Sequence, residues 1–165
     1  LDAKVLVAID TSDEKLAIAR ILGATHTLNA GDPECAAAAR QITHGGAQFA
    51  FEAAGSAQAL ELAYRVTRRG GTTVTLGISS AEQRVSLSHL SLVTEERTLK
   101  GSFLGSAVPA RDIPHYIALY RAGRLPVERL VTHRIKLDEI NLGFDRLANG
   151  EALRQVIVFL GRGSR

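Results

Sequence analysis

The stretch VLVAIDTSDEKLAIARILGATHTLN, residues 5–29, combines two different hydrophobic periods. Residues 5–9 are continuously apolar, which is typical of a strand buried on both faces of a parallel sheet. Apolar residues then recur at helical spacing, with Thr11 or Ser12 placed to cap the helix and Gly23 placed to end it. A second strand follows, so the stretch is predicted to form a βαβ unit.

The same alternation of strand and helix continues to about residue 104. Parallel strands joined by right-handed helical crossovers produce a doubly wound sheet, which is the architecture that this order favours. The predicted strands are residues 25–29, 47–53, 72–77, 85–87 and 98–104, and the predicted helices are residues 33–43, 55–67 and 88–95.

The pattern changes after residue 104. Residues 105–111 contain glycine, serine and proline and are predicted to connect two substructures. A mixed α+β segment follows. Its predicted helices are residues 113–122 and 138–148, and its predicted strands are residues 131–136 and 154–160.

Composition excludes several classes of function. The chain has 165 residues, 45% of them hydrophobic and 22% charged, as in a globular protein. Its net charge of +3 is spread over scattered lysines and arginines, so we expect no nucleic-acid partner. No apolar run approaches the length of a membrane span and no signal-peptide pattern is present, so we expect a cytoplasmic location and no membrane contact. A single cysteine excludes an internal disulfide, and the five dispersed histidines suggest no metal site within this chain.

Asp10 is the first residue that suggests a specific chemistry. It follows a buried strand directly and precedes a helix, and ligands of open parallel sheets bind at the carboxyl ends of the strands. Its two oxygens could accept hydrogen bonds from the 2′- and 3′-hydroxyls of an adenosine ribose, and its charge would repel a 2′-phosphate. Asp10 could equally start a turn or cap the helix. The residue alone leaves both interpretations open.

The glycine-rich half of a dinucleotide fingerprint is missing. The G-x-G-x-x-G turn should lie roughly 20 residues before the acid, but only nine residues precede Asp10 and none is glycine. The glycine pairs at residues 45–46 and 70–71 precede strands rather than helices. Either the chain has no dinucleotide site, or it begins after the first βα unit.

Five colinear segments resemble the C-terminal part of the medium-chain, zinc-dependent alcohol dehydrogenases. The last is the most specific, because its Leu-Asp-Glu-Ile-Asn, Gly-Phe-Asp and Gly-Glu series is hard to meet by chance. The segments are VLVAIDTSDEKLAIARILGATHTLN, FAFEAAGS, RRGGTTVTLGI, EERTLKGSFLGS and LVTHRIKLDEINLGFDRLANGEALRQVIVFL.

The resemblance implies an α/β fold: a doubly wound, Rossmann-type parallel sheet that lacks its first βα unit, followed by a mixed α+β C-terminal segment. Residues 1–104 would be a partial NAD-binding domain, and residues 105–165 would belong to a GroES-like catalytic domain. In a sheet ordered 3-2-1-4-5-6 the absent first strand is central. We therefore expect two open strand edges with an apolar gap between them, and poor stability of the chain alone.

The resemblance also assigns cofactor contacts. Asp10 would hold the adenosine ribose of NAD, with Lys15 beside it, although Lys15 is nearly as well explained as a solvated helix residue. Ala53, Ala54 and Gly55 would border the adenine and ribose, where their small side chains leave room.

A second group of residues would flank the nicotinamide ring. They share positions at or just after the ends of two predicted strands, and most are apolar, so ordinary strand packing explains them as well. They are Leu76, Gly77, Ile78, Ser102 and Leu104.

Arg154 would reach the pyrophosphate, because a planar guanidinium suits phosphate oxygens. The roles of two further polar residues stay open. Glu52 follows a predicted strand and could face the cofactor cleft or the absent zinc region, and His133 is more simply explained as a structural polar group than as a proton relay.

The implied activity of an intact family member is NAD-dependent oxidation of an alcohol to an aldehyde or ketone, with zinc acidifying the alcohol. The zinc ligands would lie in an N-terminal part outside this chain, so we expect no catalytic residue, no metal ligand and no turnover from the chain alone. The alternatives are a non-catalytic nucleotide-binding or assembly module, and a zinc-independent enzyme related to quinone reductases. The implied partners are a small alcohol and a second subunit, bound through the edge near residues 72–104.

Overall fold

The computed structural model describes residues 3–159, and the chain divides into two compact units between Ser106 and Ala107. The first unit alternates strictly between strand and helix as far as β5. The second contains two strands, two helices and short 3₁₀ turns. The strands are β1 (Val7–Asp10), β2 (His26–Asn29), β3 (Ala47–Glu52), β4 (Thr67–Thr75), β5 (Thr98–Gly101), β6 (Val131–Ile135) and β7 (Arg154–Ile157), and the helices are α1 (Asp13–Ile21), α2 (Cys35–Ile42), α3 (Ala57–Val66), α4 (His89–Thr94), α5 (Pro109–Arg121) and α6 (Ile140–Ala148).

The strands of the first unit form two parallel sheets rather than one. β1 pairs with β2, and β3, β4 and β5 pair in that order. Within residues 3–159 no strand pairs with the second edge of β1 or with the edge of β3 that faces away from β4. This is the arrangement expected of a 3-2-1-4-5-6 sheet without its central strand, and the predicted fold class is confirmed.

A small-residue core joins the two sheets. Its buried members come from α2, β3 and α3, and apolar side chains of β1 and β2 pack against it; among these residues are Ala39, Ala50, Ala63, Val66, Ile9 and Leu28. The opposite face of β3 is uncovered, because Phe49 and Phe51 are 56% and 65% exposed. Strand alternation separates these two faces of β3.

Three sequence predictions differ from the structure. Residues 5–9 were predicted to be buried on both faces, but β1 begins at Val7, and Val5 and Leu6 are 40% and 51% exposed. The physical reason is that β1 has a paired strand on one side only among the described residues. The strand predicted at 85–87 does not form, and the strand predicted at 98–104 ends at Gly101.

Buried polar groups fix β4 and β5 to the end of α3. The Thr67 hydroxyl donates to the Ala63 carbonyl at 2.8 Å and lies 2.8 Å from the Thr73 hydroxyl, and both threonines are fully buried. The Arg97 guanidinium lies 4.8 Å from the centre of the Tyr64 ring and pairs with Glu95. These contacts hold the strands whose carboxyl ends carry the candidate site.

Cys35 is the first residue of α2 and is buried, at 3% exposure. A buried free cysteine packs as a small apolar residue. Burial, and then the negative charge of Asp32, raise the pKa of its thiol above the ordinary value, although Arg65 acts in the opposite direction.

The second unit pairs β6 with β7 in parallel, and α6 lies between them in the sequence. Gly143 of α6 sits tightly beside this sheet, because a Cβ there would lie 2.9 Å from Cδ1 of Ile135, and the Gln155 amide donates to the Gly143 carbonyl at 2.6 Å. The helix predicted at 113–122 begins earlier, at Pro109, since proline is favoured in the first turn of a helix.

The strand predicted at 154–160 ends at Ile157, and residue 160 lies outside the described residues. Among residues 3–159 no helix has the length and apolar character needed to cross a bilayer.

Candidate functional site

The carboxyl ends of β3 and β4 meet at Glu52, the last residue of β3. Its side chain is 4% exposed. One carboxylate oxygen accepts the backbone N–H of Gly55 at 2.6 Å, and the other accepts the hydroxyl of Thr75 at 2.6 Å. Glu52 therefore ties the loop that follows β3 to the end of β4.

The pKa of Glu52 follows from these bonds. Burial by itself raises the pKa of the carboxyl group, because it disfavours the charged form. The hydrogen bonds from Thr75, Gly55, Ala54 and Ser56 favour the carboxylate, and together they hold the pKa below its ordinary value. Glu52 is thus an ionised group at neutral pH.

The backbone of Glu52 reinforces the same junction. Its carbonyl accepts the N–H of Leu76 at 2.9 Å and that of Gly77 at 3.3 Å. The chain leaving β4 is therefore held against the end of β3 by both the carbonyl and the carboxylate of one residue.

Two glycines permit a very close approach of the two segments. A Cβ on Gly77 would lie 2.2 Å from the backbone nitrogen of Gly55, which no side chain can occupy. Gly55 has a φ of +74°, and a Cβ there would lie 2.6 Å from the carbonyl oxygen of Ile78. The resemblance assigns both glycines to a cofactor site, which stays a prediction, and the structure shows a steric need for glycine at each position.

An open cleft of about 450 Å³ lies beside this junction, at the carboxyl ends of β4 and β5. Four of the residues expected to flank a nicotinamide ring line it together, since the lining consists of Thr75, Leu76, Gly77, Ile78, Gly101, Ser102 and Phe103. The Ser102 N–H donates to the Thr75 carbonyl at 2.9 Å, which extends the edge from β4 to β5. Leu104 is not among the lining residues; it is 74% exposed in a short 3₁₀ turn.

Asp10 ends β1 in the other sheet of the same unit. Its Oδ1 accepts the N–H of Ser12 at 2.9 Å, so the turn-forming interpretation describes a real contact. Ser12 is the residue that caps α1, through a 3.4 Å bond from the Lys15 N–H. Within residues 3–159 the structure gives the Asp10 side chain this one hydrogen bond, and the half-buried carboxylate keeps acceptor capacity. The ribose role of Asp10 and the role of half-buried Lys15 stay predictions.

The remaining predicted residues fall into two groups. Ala53 and Ala54 are exposed in the loop that Glu52 holds, next to Gly55. Arg154 is an exposed residue at the start of β7 in the second unit, so its place at a pyrophosphate stays a prediction. His133 is half-buried in β6, where its Nδ1 lies 3.1 Å from the Thr132 hydroxyl, which is a local polar contact.

Sequence reasoning did not identify Thr75 and left Glu52 unassigned. The signal that could have found them is an acid at the end of one predicted strand, three residues before a glycine, with a hydroxyl residue near the end of the next strand.

The residues present fit a dinucleotide better than a metal. The open cleft lies at the carboxyl edge of parallel strands, where such sheets bind nucleotides, and the two glycines let the protein segments beside it approach each other closely. By contrast, no group of three or more histidine, cysteine, aspartate or glutamate side chains within residues 3–159 could hold a metal ion, so no zinc chemistry is derived from these side chains.

Comparison with known proteins agrees with this geometry. S-(hydroxymethyl)glutathione dehydrogenase of Paracoccus denitrificans is 29% identical over 95% of this chain and 44% of its own length. NDMA-dependent alcohol dehydrogenase of Amycolatopsis methanolica is 36% identical over 93% of this chain and 42% of its own length. The crystal structure of benzyl alcohol dehydrogenase from Acinetobacter calcoaceticus matches with a TM-score of 0.90 and 29% identity, over 96% of this chain and 43% of that one.

The chain thus spans less than half the length of each of these relatives. The family model described as zinc-binding dehydrogenase matches residues 1–122. On the fold, the glycine junction and these matches, the chain belongs to the zinc-binding dehydrogenase family.

Proposed function

We propose that the protein containing this chain is an NAD-dependent dehydrogenase that oxidises an alcohol to an aldehyde or ketone, and that this chain carries most of the cofactor-binding half. The observation that supports this most is the junction of Gly55 and Gly77 beside the open cleft. The relatives are alcohol and S-(hydroxymethyl)glutathione dehydrogenases, which favours the same reaction class.

Each predicted residue has a task in this proposal. Asp10 accepts hydrogen bonds from the adenosine ribose through its available oxygen and disfavours a 2′-phosphate by charge. The backbone of residues 53–55 borders the adenosine, and Lys15 lies beside the ribose. Arg154 binds the pyrophosphate.

The nicotinamide side is formed by residues of the open cleft. The backbone groups of Leu76, Gly77 and Ile78 bind the carboxamide, and Ser102 and Leu104 flank the ring. NAD, when bound, supplies the ring carbon that accepts a hydride. The contribution of this chain is to orient the ring and to exclude water from one of its faces.

A catalytic zinc ion would require ligands from outside residues 3–159, because the described side chains form no metal-binding group. The proposal therefore assigns no catalytic residue to this chain and expects no turnover from it alone. The substrate class is a small alcohol.

The proposal also includes a homodimer and a cytoplasmic location. The outer edge of β5 has no pairing strand within the described residues, and a second copy of the chain joined there would form a homodimer near residues 72–104. A cytoplasmic location is part of the same proposal.

The experiment is to sequence the coding region upstream of Leu1, express the full-length gene product, and assay it with a panel of primary and secondary alcohols, NAD or NADP, with and without a zinc chelator. We expect alcohol oxidation with NAD that the chelator abolishes, and no turnover from residues 1–165 alone.

Other outcomes discriminate the alternatives. Reduction of quinones that survives chelation would replace the proposal with a zinc-independent reductase. Nucleotide binding without any turnover in the full-length product would replace it with a non-catalytic module. Turnover by residues 1–165 alone, with zinc and NAD, would show that the inference about outside ligands is wrong.

A further inference from the structure

Glu52 is a buried anion with no cationic partner among the described residues. The ion pairs found within residues 3–159 are Arg97 with Glu95 and Arg111 with Asp112. A carboxylate that is 4% exposed would be costly if its oxygens were not fully hydrogen-bonded. Its charge is balanced instead by oriented N–H and O–H dipoles. The positions of these donors in the chain indicate which segments the carboxylate holds together.

The donors come from two segments that are separated by about twenty residues in the chain. Gly55 belongs to the loop after β3, and Thr75 ends β4. The first segment is the one predicted to border the adenosine, and the second leads into the predicted nicotinamide side. One carboxylate therefore fixes both halves of the candidate cofactor site.

Protein side chains also accept N–H groups at the N-terminus of α3. Helix N-termini at the carboxyl edge of a parallel sheet commonly bind phosphate, because their N–H groups lack partners within the helix. Here the Ala57 N–H donates to Oε1 of Gln83 at 2.8 Å, and the Ala59 N–H donates to the Ser56 hydroxyl at 3.1 Å. The protein itself occupies these two donors.

We propose that Glu52 is a positioning residue, an internal anion at the start of α3 that holds residues 53–55 against residues 75–78 and keeps the adjacent cleft in a form that accepts a dinucleotide. This inference rests on the proposed function, because it requires the cleft to bind the cofactor. Glu52 acts through the backbone and not by touching the cofactor.

Truncation of this side chain creates a specific defect. Glu52→Ala leaves the Gly55 N–H and the Thr75 hydroxyl facing a space that has the shape of a carboxylate. A small carboxylate from solution, formate or acetate, can enter that space and accept the same bonds. Chloride at equal concentration lacks the two-oxygen geometry.

The test uses the full-length gene product and NADH as the probe, titrated by its fluorescence. We expect Glu52→Ala to weaken NADH binding about 10-fold or more, because it removes two hydrogen bonds to a charged group that hold the two segments together. Acetate or formate should restore at least half of the lost affinity on a logarithmic scale, whereas chloride at the same concentration should not.

Glu61→Ala is the matched control. Glu61 also accepts a backbone N–H, that of Ser86 at 2.9 Å, but it lies in the middle of α3 and does not line the cleft. We expect wild-type affinity for NADH and no response to acetate from this variant.

A second measurement does not depend on any cofactor. Hydrogen exchange of the Ala54, Gly55 and Ser56 amides, followed by NMR, should be faster in Glu52→Ala and slowed again by acetate. If the wild type does not bind NADH but these amides respond in this way, the proposed function fails while the positioning role stands.

Unchanged amide exchange in Glu52→Ala, or NADH affinity within twofold of the wild type, would overturn the positioning role.

If Glu52→Ala does not fold, Glu52→Gln decides, because its amide keeps one acceptor oxygen and loses the charge. We expect a folded protein with NADH binding weakened by about threefold, since a neutral acceptor forms weaker bonds than an ionised one. Wild-type affinity and wild-type exchange in Glu52→Gln would then reject the proposal.

Discussion

Two acidic residues end parallel strands of the first unit, and their carboxylates differ in burial and in hydrogen bonding. Glu52 ends β3 and is almost fully buried, with hydrogen bonds from its own loop and from Thr75. Asp10 ends β1, is half-buried, and receives one side-chain hydrogen bond within the described residues, from Ser12. Each acid is the last residue of a strand in a parallel sheet.

The difference teaches that position at the carboxyl edge of a sheet does not by itself give an acid a ligand. An acid whose oxygens are saturated by the protein shapes the site, and an acid with free acceptor capacity can bind a hydroxyl group. The predictions below test this difference between Glu52 and Asp10, and the largest expected effect comes first.

Gly77→Ala should have the largest effect, because it forces apart the two segments that Glu52 joins. The new Cβ would lie 2.2 Å from the Gly55 nitrogen and 2.8 Å from the Glu52 carboxylate. We expect the free energy of unfolding to fall by about 3 kcal/mol, at the upper end of the range for overpacking. Urea denaturation followed by circular dichroism measures it.

Gly101→Ala is the control for that change, since its Cβ would meet no atom within 4 Å. A loss for Gly77→Ala no greater than that for Gly101→Ala would show that the two segments can separate at little cost.

Replacement of Asp10 should change cofactor choice more than stability. Asp10→Asn keeps an oxygen for the Ser12 N–H but removes the charge, so we expect the NAD/NADP preference to fall by about 10-fold, or about 1.4 kcal/mol, with unchanged unfolding. Asp10→Gly removes the turn contact as well and should add a stability loss. Binding constants for NADH and NADPH give the ratio, and an unchanged ratio in both variants would leave Asp10 with its turn role alone.

Acid should destabilise the first unit partly through Glu52. Because the folded pKa of this carboxyl is below its ordinary value of 4.5, its contribution to stability is present above about pH 4.5 and is lost as pH falls through the folded pKa. Glu52→Gln should therefore flatten the acid side of a plot of unfolding free energy against pH. Parallel wild-type and variant curves between pH 5 and pH 3 would contradict this assignment.

Asp112, in α5, is half-buried and pairs with the exposed Arg111, and its titration should respond to salt. Arg111 and the Val108 N–H lower the pKa of its carboxyl to about 2. Screening weakens an exposed ion pair, so 1 M salt should raise this pKa, while the pKa of buried Glu52 should move less. Carboxyl ¹³C shifts followed against pH measure both, and an equal response of the two groups would remove the distinction between dipole and ion-pair stabilisation.

Much of the fold could be predicted because it depends on local patterns. The apolar runs, helix caps and glycines of residues 5–77 act at short range and predicted the alternation of strands and helices, whereas the open edges of β1 and β3 were implied by the resemblance to the alcohol dehydrogenases. The predicted strand at 85–87 failed because a short apolar run forms a strand only where a neighbour pairs with it. The exposure of Val5 and Leu6 has the same cause, since their burial requires a second neighbour for β1.

The candidate site was predictable in its glycines and in its apolar rim, but not in its central contact. Glu52 and Thr75 are 23 residues apart and meet only after β3 and β4 pair in register. No local pattern distinguishes an acid that will be saturated in this way from one that will stay free, as the comparison with Asp10 shows.

The position of Cys35 has a kinetic consequence. It is the one cysteine of the sequence, its thiol is buried, and burial raises the pKa of that thiol. A thiol reagent can therefore react only during those moments when α2 leaves the core, and only with the small thiolate fraction. The rate of labelling at Cys35 measures how often the first unit opens, without any introduced probe, and a bound ligand that stabilises this unit should slow the reaction by the same factor by which it stabilises the closed form.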